Sequence, residues 1–327
     1  MGQQFRHILI IQTAFIGDAI LATALVESMA NYKPGLKIDI LVRKGNEGLL
    51  TNNPHINRIL IWNKTQHKYK NLFTLLKTIR QANYDAVINL QRFAATGLIT
   101  AFSNAKLKIG FKENPFSGLY TRSIPHDVKS GIHEVGRNQQ LIEDFAGKEA
   151  SKPRLYPSAE DIQAVQSFKK GKYICIAPTS VWFTKQFPMH KWIEFIATVP
   201  TDITIYLLGG SDDYEACEAI LNKVENRDLV NLAGKLSFLQ SASLMKDASM
   251  NYVNDSAPMH IASAMIAPTT AVYCSTIPQF GFGPLSDNST IVETPKPLDC
   301  RPCGLHGKKA CPLGHFDCAE TINLNWG

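Results

Sequence analysis

At 327 residues, 45% hydrophobic and 19% charged, the chain is long enough for about two globular domains, each with its own core. No apolar run is long enough to cross a bilayer. Residues 1–7 lack the apolar stretch and cleavage site of a secretory leader, so a cytoplasmic location is expected. The net charge of +6 suits an anionic substrate or a membrane surface; without zinc-finger spacing or an aromatic-interleaved RNA motif, no nucleic-acid partner is expected.

The run over 8–12 reads as a short apolar strand. Thr13-Ala-Phe-Ile-Gly-Asp18 follows, then a helical pattern over 19–32 that Pro34-Gly35 stops. Strands are expected over 37–42, 59–62 and 85–90, with a helix over 72–81 between the last two. This alternation predicts a mostly parallel sheet clothed by helices. The pattern weakens over 147–171, where 148–157 is polar and carries Pro153 and Pro157. A linker is therefore expected at 151–170, between domains at 1–150 and 171–327, with a helix over 161–168 leading out of it. The alternation then restarts. Strands are expected over 173–177, 203–208, 229–232, 250–253 and 269–273, and helices over 190–198, 212–223, 239–246 and 259–265. The expected fold class is α/β: two tandem doubly wound Rossmann-like domains. Ligands are expected beyond the carboxyl ends of the strands, in the cleft between the domains.

Four features along this frame carry chemistry. Gly17-Asp18 sits between the first strand and first helix, where glycine permits close approach and a carboxylate can take a proton from an attacking hydroxyl. Asp18 as a helix N-cap is the structural alternative. Thr179 to Lys185 follows the strand at 173–177, and Lys185 is a candidate point charge for a phosphate. Gly209-Gly210 ends a strand and enters a helix; its amides suit phosphate or sugar, and Asp213 or Glu215 suits a ribose diol, against the alternative of a plain tight turn. In Asn254-Asp-Ser-Ala-Pro-Met-His260, Pro258 suits the first helical turn and Asp255 or Ser256 the cap, so free amides there would face a diphosphate.

These features, in this order and spacing, resemble glycosyltransferase family 9, the ADP-heptose:lipopolysaccharide heptosyltransferases. The likeness rests on 8–18, 179–192, 207–210, Asn231-Leu-Ala-Gly-Lys235 and 254–260 and covers nearly the whole chain. It implies a GT-B fold with the acceptor domain first and the nucleotide domain second. It also implies inversion at the anomeric carbon and no catalytic metal. Carried over, Asp18 matches the general base and Lys185 the lysine near the donor phosphates. Asp255, Ser256 and Ala257 align with the phosphate-binding turn, where many members have Thr-Gly in place of Ser256-Ala257. Gly17, Thr179, Gly209, Gly210, Asp213, Glu215, Met259 and His260 complete the expected donor set. His133, Glu134 and Arg137 fall in a segment near the end of the acceptor domain. Arg137 and Arg92 are expected acceptor contacts; Lys64 and Lys68 are candidates for the same role, with a solvated loop as the alternative. The expected partners are an ADP-sugar and an anionic lipid-linked oligosaccharide met at the inner face of the inner membrane, with the enzyme a monomer. Alternatives are another nucleotide sugar or acceptor on the same fold, or a binding protein without turnover. A dehydrogenase is disfavoured because the glycine fingerprint is missing.

Seven cysteines are present, and four cluster near the end: Cys300-x-x-Cys303, Cys311 and Cys318. In a cytosolic chain such a cluster suits a structural zinc, with His306 and His315 as substitute ligands; reduced thiols, or disulfides formed after oxidation, are the alternative. No part in the chemistry is expected of it.

Overall fold

A computed structural model describes residues 5–225 and 227–326, so the polar start of the chain at 1–4 lies outside the described residues. The chain divides into two units at Tyr156 and Pro157.

The first unit runs β1 (His7–Gln12), α1 (Ile16–Tyr32), β2 (Lys37–Arg43), β3 (Ile56–Trp62), α2 (Lys68–Gln81), β4 (Ala86–Asn89), α3 (Ala94–Ala101), β5 (Leu107–Phe111), β6 (Arg122–Ile124), α4 (Glu134–Gln140) and α5 (Glu143–Ala146). Its six strands lie in the order β3-β2-β1-β4-β5-β6, each pair parallel. Ile8 to Ile11 are wholly buried because helices cover both faces of a central parallel strand, which therefore reads as an unbroken apolar run. Leu72, Leu75 and Ile79 on α2 pack over Leu9, Ile11, Leu41 and Val87 to make one core layer.

The second unit runs α6 (Ala159–Ala164), β7 (Tyr173–Ala177), α7 (Met189–Thr198), β8 (Thr204–Leu207), α8 (Tyr214–Leu221), β9 (Leu229–Asn231), α9 (Phe238–Lys246), β10 (Asn251–Asn254), α10 (Ala257–Ala264), β11 (Thr269–Tyr273), β12 (Ser289–Glu293) and α11 (Asp317–Glu320). Its sheet order is β12-β11-β10-β7-β8-β9, again parallel throughout. Counted from the first strand of each unit, both sheets follow the doubly wound order 3-2-1-4-5-6. The strand order reverses between β1 and β4 in one unit and between β7 and β10 in the other. These switch points are where such sheets leave room for ligands.

The expected strands over 173–177 and 269–273 fall on β7 and β11. Strands β5, β6 and β12 were not legible: β5 is interrupted by Lys108, and β6 is a three-residue, half-exposed edge strand without an apolar run. The stretch 151–170, expected as a linker, is shared out. Backbone amides of Ser151 and Arg154 donate to Ser28 and Thr23 of α1, and the Tyr156 hydroxyl donates to Glu27, so 151–156 belongs to the first unit. Residues 159–168 are helical in the second, opened by a capping box between Ser158 and Asp161.

Candidate active site

In the first unit the turn after β1 delivers Asp18. Helix α1 starts at Ile16, with Phe15 as N-cap and no side-chain cap bond, so Asp18 is the third helical residue and not the cap. Its carboxylate takes backbone N–H bonds from Phe15 and from itself. Burial pushes its pKa from 3.8 to about 6, and the charge of Glu134 adds to this, while those backbone bonds and Arg92 oppose it. A carboxyl poised near neutrality is what a general base needs. Arg92 follows β4, on the other side of the switch point.

Lys64 reaches the same turn from the end of β3. Its ammonium donates to the Thr13 carbonyl at 2.6 Å and hydroxyl at 3.1 Å, and lies 4.8 Å from the Trp62 ring. Burial, then the charges of Arg43 and Lys68, lower its pKa to about 8. Arg43, not singled out from the sequence, sits 5.4 Å over the Phe15 ring. Lys68 stays exposed at the start of α2. Phe15 and Phe93, one on each switch-point turn, are both more than 60% exposed, apolar faces on which a sugar ring can rest.

Arg137 differs from expectation. It is 1% exposed in α4; its guanidinium pairs with Glu134 at 2.8 Å and donates to the Ile132 carbonyl. Glu134 also meets His126 at 3.0 Å. Burial alone would raise the Glu134 carboxyl, but the His126 hydrogen bond and Arg137 hold it below the usual range. The anion Arg137 meets is thus internal, and the acceptor role expected of it is corrected to one of holding Glu134 ionised. His133 caps α4, its Nδ1 accepting from the Val135 N–H at 3.2 Å. Helix α4 packs on α1, which brings the charge of Glu134 to bear on Asp18.

In the second unit, Lys185 and Asp255 come together across the switch point. Their ion pair is 2.7 Å long and mostly buried, and Asp255 also accepts from the Thr276 hydroxyl at 2.5 Å. Asp255 is therefore not a cap. Ser256 is the N-cap of α10, but its hydroxyl makes no cap bond and is buried without a partner among the described residues. Ala257 and Pro258 open the helix, so the first-turn amides have no side-chain acceptor. Met259 is wholly buried, its sulfur 3.4 Å from the Tyr273 hydroxyl and its N–H donating to the Ser256 carbonyl at 3.2 Å, so the donor contact expected of it is corrected to a packing role; His260 is buried one residue on.

Two residues that the sequence reading passed over hold this arrangement. The Asn254 side chain is fully buried; its amide nitrogen donates to the carbonyls of Ala177, Pro178 and Thr179, and its oxygen accepts from Phe187 N–H. It pins both ends of the 177–187 loop and explains the place of Thr179, whose carbonyl is one of those acceptors. Thr184 is the second. Its hydroxyl accepts from Lys308 N–H at 2.8 Å and bonds the Ser275 hydroxyl at 3.0 Å, while its own N–H donates to the Lys308 carbonyl. A side chain at Gly307, which has φ of +75°, would lie 2.8 Å from Lys185 Cγ. The cysteine-rich segment therefore backs directly onto the lysine. The sequence signal for Asn254 was its place at the head of the 254–260 motif; for Thr184 there was none, because its partners are over ninety residues away.

The Gly209-Gly210 turn is tight. Asp213 accepts from Gly210 N–H at 2.7 Å, and a side chain at Gly209 would strike Asp213 at 2.6 Å. Gly234, with φ of +72°, packs on the Ser211 backbone, which accounts for the Leu-Ala-Gly segment beside it. Asp213 is committed to the turn and Glu215 is exposed on α8.

Burial and the nearby thiols of Cys311, Cys300 and Cys303 raise the Cys318 pKa to about 11. Burial would also raise Cys311, but backbone bonds from Phe316, Leu313, Gly314 and His315 hold it below the ordinary thiol range. The Cys318 thiol thus feels the charge of the other three. Among the described residues, however, no three His, Cys, Asp or Glu side chains converge in an arrangement that holds a metal ion.

Two doubly wound units with a near-neutral carboxyl on one and a lysine beside a free helix N-terminus on the other define a glycosyltransferase of the GT-B class. Solved structures share the fold: ADP-heptose lps heptosyltransferase II of E. coli (TM-score 0.78, 21% identity, covering 91% of this chain and 95% of that one) and a glycosyl transferase family 9 protein of Veillonella parvula (0.81, 20%, 89% and 86%). Lipopolysaccharide heptosyltransferase 3 of Escherichia coli K12 is 29% identical over 278 residues, 80% of each chain. The profile of glycosyltransferase family 9 (heptosyltransferase) matches residues 72–312, and the chain belongs to that family.

Proposed function

We propose that the protein transfers a heptose from ADP-heptose, with inversion and without a catalytic metal, to a lipid-linked inner-core acceptor of lipopolysaccharide at the cytoplasmic face of the membrane. The observation that carries the reading is Asp18, a carboxyl lifted to about 6 on the switch-point turn of the first unit. The names of the relatives supply the sugar and acceptor: lipopolysaccharide heptosyltransferases among the sequences, and E. coli WaaC solved with ADP and with ADP-2-deoxy-2-fluoro heptose among the folds.

The acceptor hydroxyl attacks the anomeric carbon while Asp18 takes its proton. The bond from that carbon to the β-phosphate oxygen breaks, and its electron pair leaves with ADP. Lys185 and the backbone amides of Ser256 and Ala257 at the start of α10 receive the growing charge, and the unpartnered Ser256 hydroxyl adds a donor. Two fixed positive groups can do here what a divalent cation does elsewhere. Turnover in the presence of a chelator tests that part. Gly209, Gly210 and Glu215 are assigned to the nucleotide, Lys64, Lys68 and Arg92 to acceptor anions. The cluster of Cys300, Cys303, Cys311 and Cys318 is assigned a structural zinc that orders the segment behind Lys185. Its support is the spacing of the four cysteines along the sequence, and metal analysis of the purified protein tests it.

Calorimetric titration with ADP, UDP, GDP and CDP decides the donor. Tightest binding of ADP is expected; preference for another nucleotide overturns the heptose assignment and leaves the fold class standing.

A further inference from the structure

Helix α2 carries a surface that the transfer chemistry does not use. Leu72, Leu75 and Ile79 face the core. On the outward face Tyr69 and Phe73, one turn apart, are 70% and 61% exposed. Further along, Phe73, Leu76, Lys77 and Arg80 line a shallow groove of about 650 Å³. The charge is one-sided: from Asn63 to Tyr84 the chain carries Lys64, Lys68, Lys70, Lys77 and Arg80 and no Asp or Glu.

The helix itself has no use for this pattern. Lys68 and Lys70 stand in its first turn, where the macrodipole favours acids, and no acid is there. Exposed aromatics at i and i+4 gain nothing from water. A second copy of the chain is a poor occupant, since a two-fold contact would set this basic face against itself. Aromatic side chains set among like-signed lysines are the composition of a helix that lies in the interface of an anionic bilayer.

We propose that α2 docks the protein on an anionic lipid surface, with Tyr69 and Phe73 entering the headgroup layer and Lys70, Lys77 and Arg80 meeting lipid phosphates. The inference gives the lipid-linked acceptor proposed above a place to be met, but depends on neither the sugar nor the nucleotide.

The test is sedimentation of the full-length protein with vesicles of phosphatidylcholine alone or mixed with phosphatidylglycerol, at low and high salt. Wild type is expected to pellet only with the anionic vesicles and to be released by salt. Each basic residue near such a surface contributes about fivefold in binding, so Lys70→Glu with Lys77→Glu should lower it at least roughly twenty-five-fold. Phe73→Ser should lower it several-fold at unchanged charge. Turnover of these variants on a deacylated, water-soluble acceptor should equal wild type, while turnover on vesicle-embedded acceptor falls. Equal binding to neutral vesicles, or variants that bind anionic vesicles like wild type, overturns the proposal. So does a wild-type dimer that Phe73→Ser converts to monomer, or a loss of turnover on the soluble acceptor. Should wild type transfer sugar to neither acceptor, the transfer reading fails, and the vesicle results still decide the docking face.

Discussion

Asp18→Asn should make the protein more stable and inactive at once. Asp18 ionises near 6 in the folded protein against an ordinary 3.8, with burial the main cause and the Glu134 charge the second. Between those values the folded state binds more protons than the unfolded, so stability falls as pH rises through the window and the penalty is complete above about 6. At ~1.4 kcal/mol per pH unit the whole interval corresponds to ~3 kcal/mol. The carboxyl is only partly shielded from water, which reduces this to about 1–3 kcal/mol. Asparagine keeps the size and a hydrogen-bonding oxygen without the charge. Urea melts of both proteins at roughly pH 8 should show the variant more stable by that amount, and melts near pH 4 should show the difference mostly gone. Turnover should be lost at every pH while ADP still binds. A variant less stable than wild type near pH 8, or a gap that widens as pH falls, would refute the account of Asp18 as a strained, near-neutral carboxyl.

Glu134→Gln removes the second cause of that shift. The acid limb of the pH–rate profile, expected to turn near 6 in wild type, should move to lower pH but not to the ordinary carboxylate value, because burial, the larger cause, remains. The variant should also melt earlier, since Arg137 loses its ionic partner inside α4. Lys185→Ala should cost about a hundredfold in kcat, ~3 kcal/mol of transition-state stabilisation, with ADP affinity by calorimetry reduced far less. Asn254→Ala leaves three carbonyls and the Phe187 N–H without their partner; a loss of about 3 kcal/mol in urea melts and a raised donor KM are expected.

Much of this was legible along the chain because the relevant interactions are local. The apolar run at 8–11 and the alternation of helix and strand depend on periodicity within a single element, so the doubly wound class could be read directly. Asp18, Lys185 and Asp255 were found for a related reason: each follows a strand, and in such sheets the strand ends carry the ligands. What each residue touches there was decided by partners far away in sequence. Asp18 is not the cap, which is Phe15, and burial with the charge of Glu134, brought in by α4, lifts it toward neutrality. Asp255 or Ser256 was expected as the cap; Ser256 takes that place and Asp255 is tied to Lys185 and Thr276. Arg137 looked available to a substrate, and the fold commits it to Glu134. Sequence by itself determined the alternation of the main strands and helices, since propensity and hydrophobic period act over a few residues, but not the short edge strands such as β6. Tertiary structure decided charge state and partner, because electrostatic and hydrogen-bond energies depend on what the fold brings within a few ångströms.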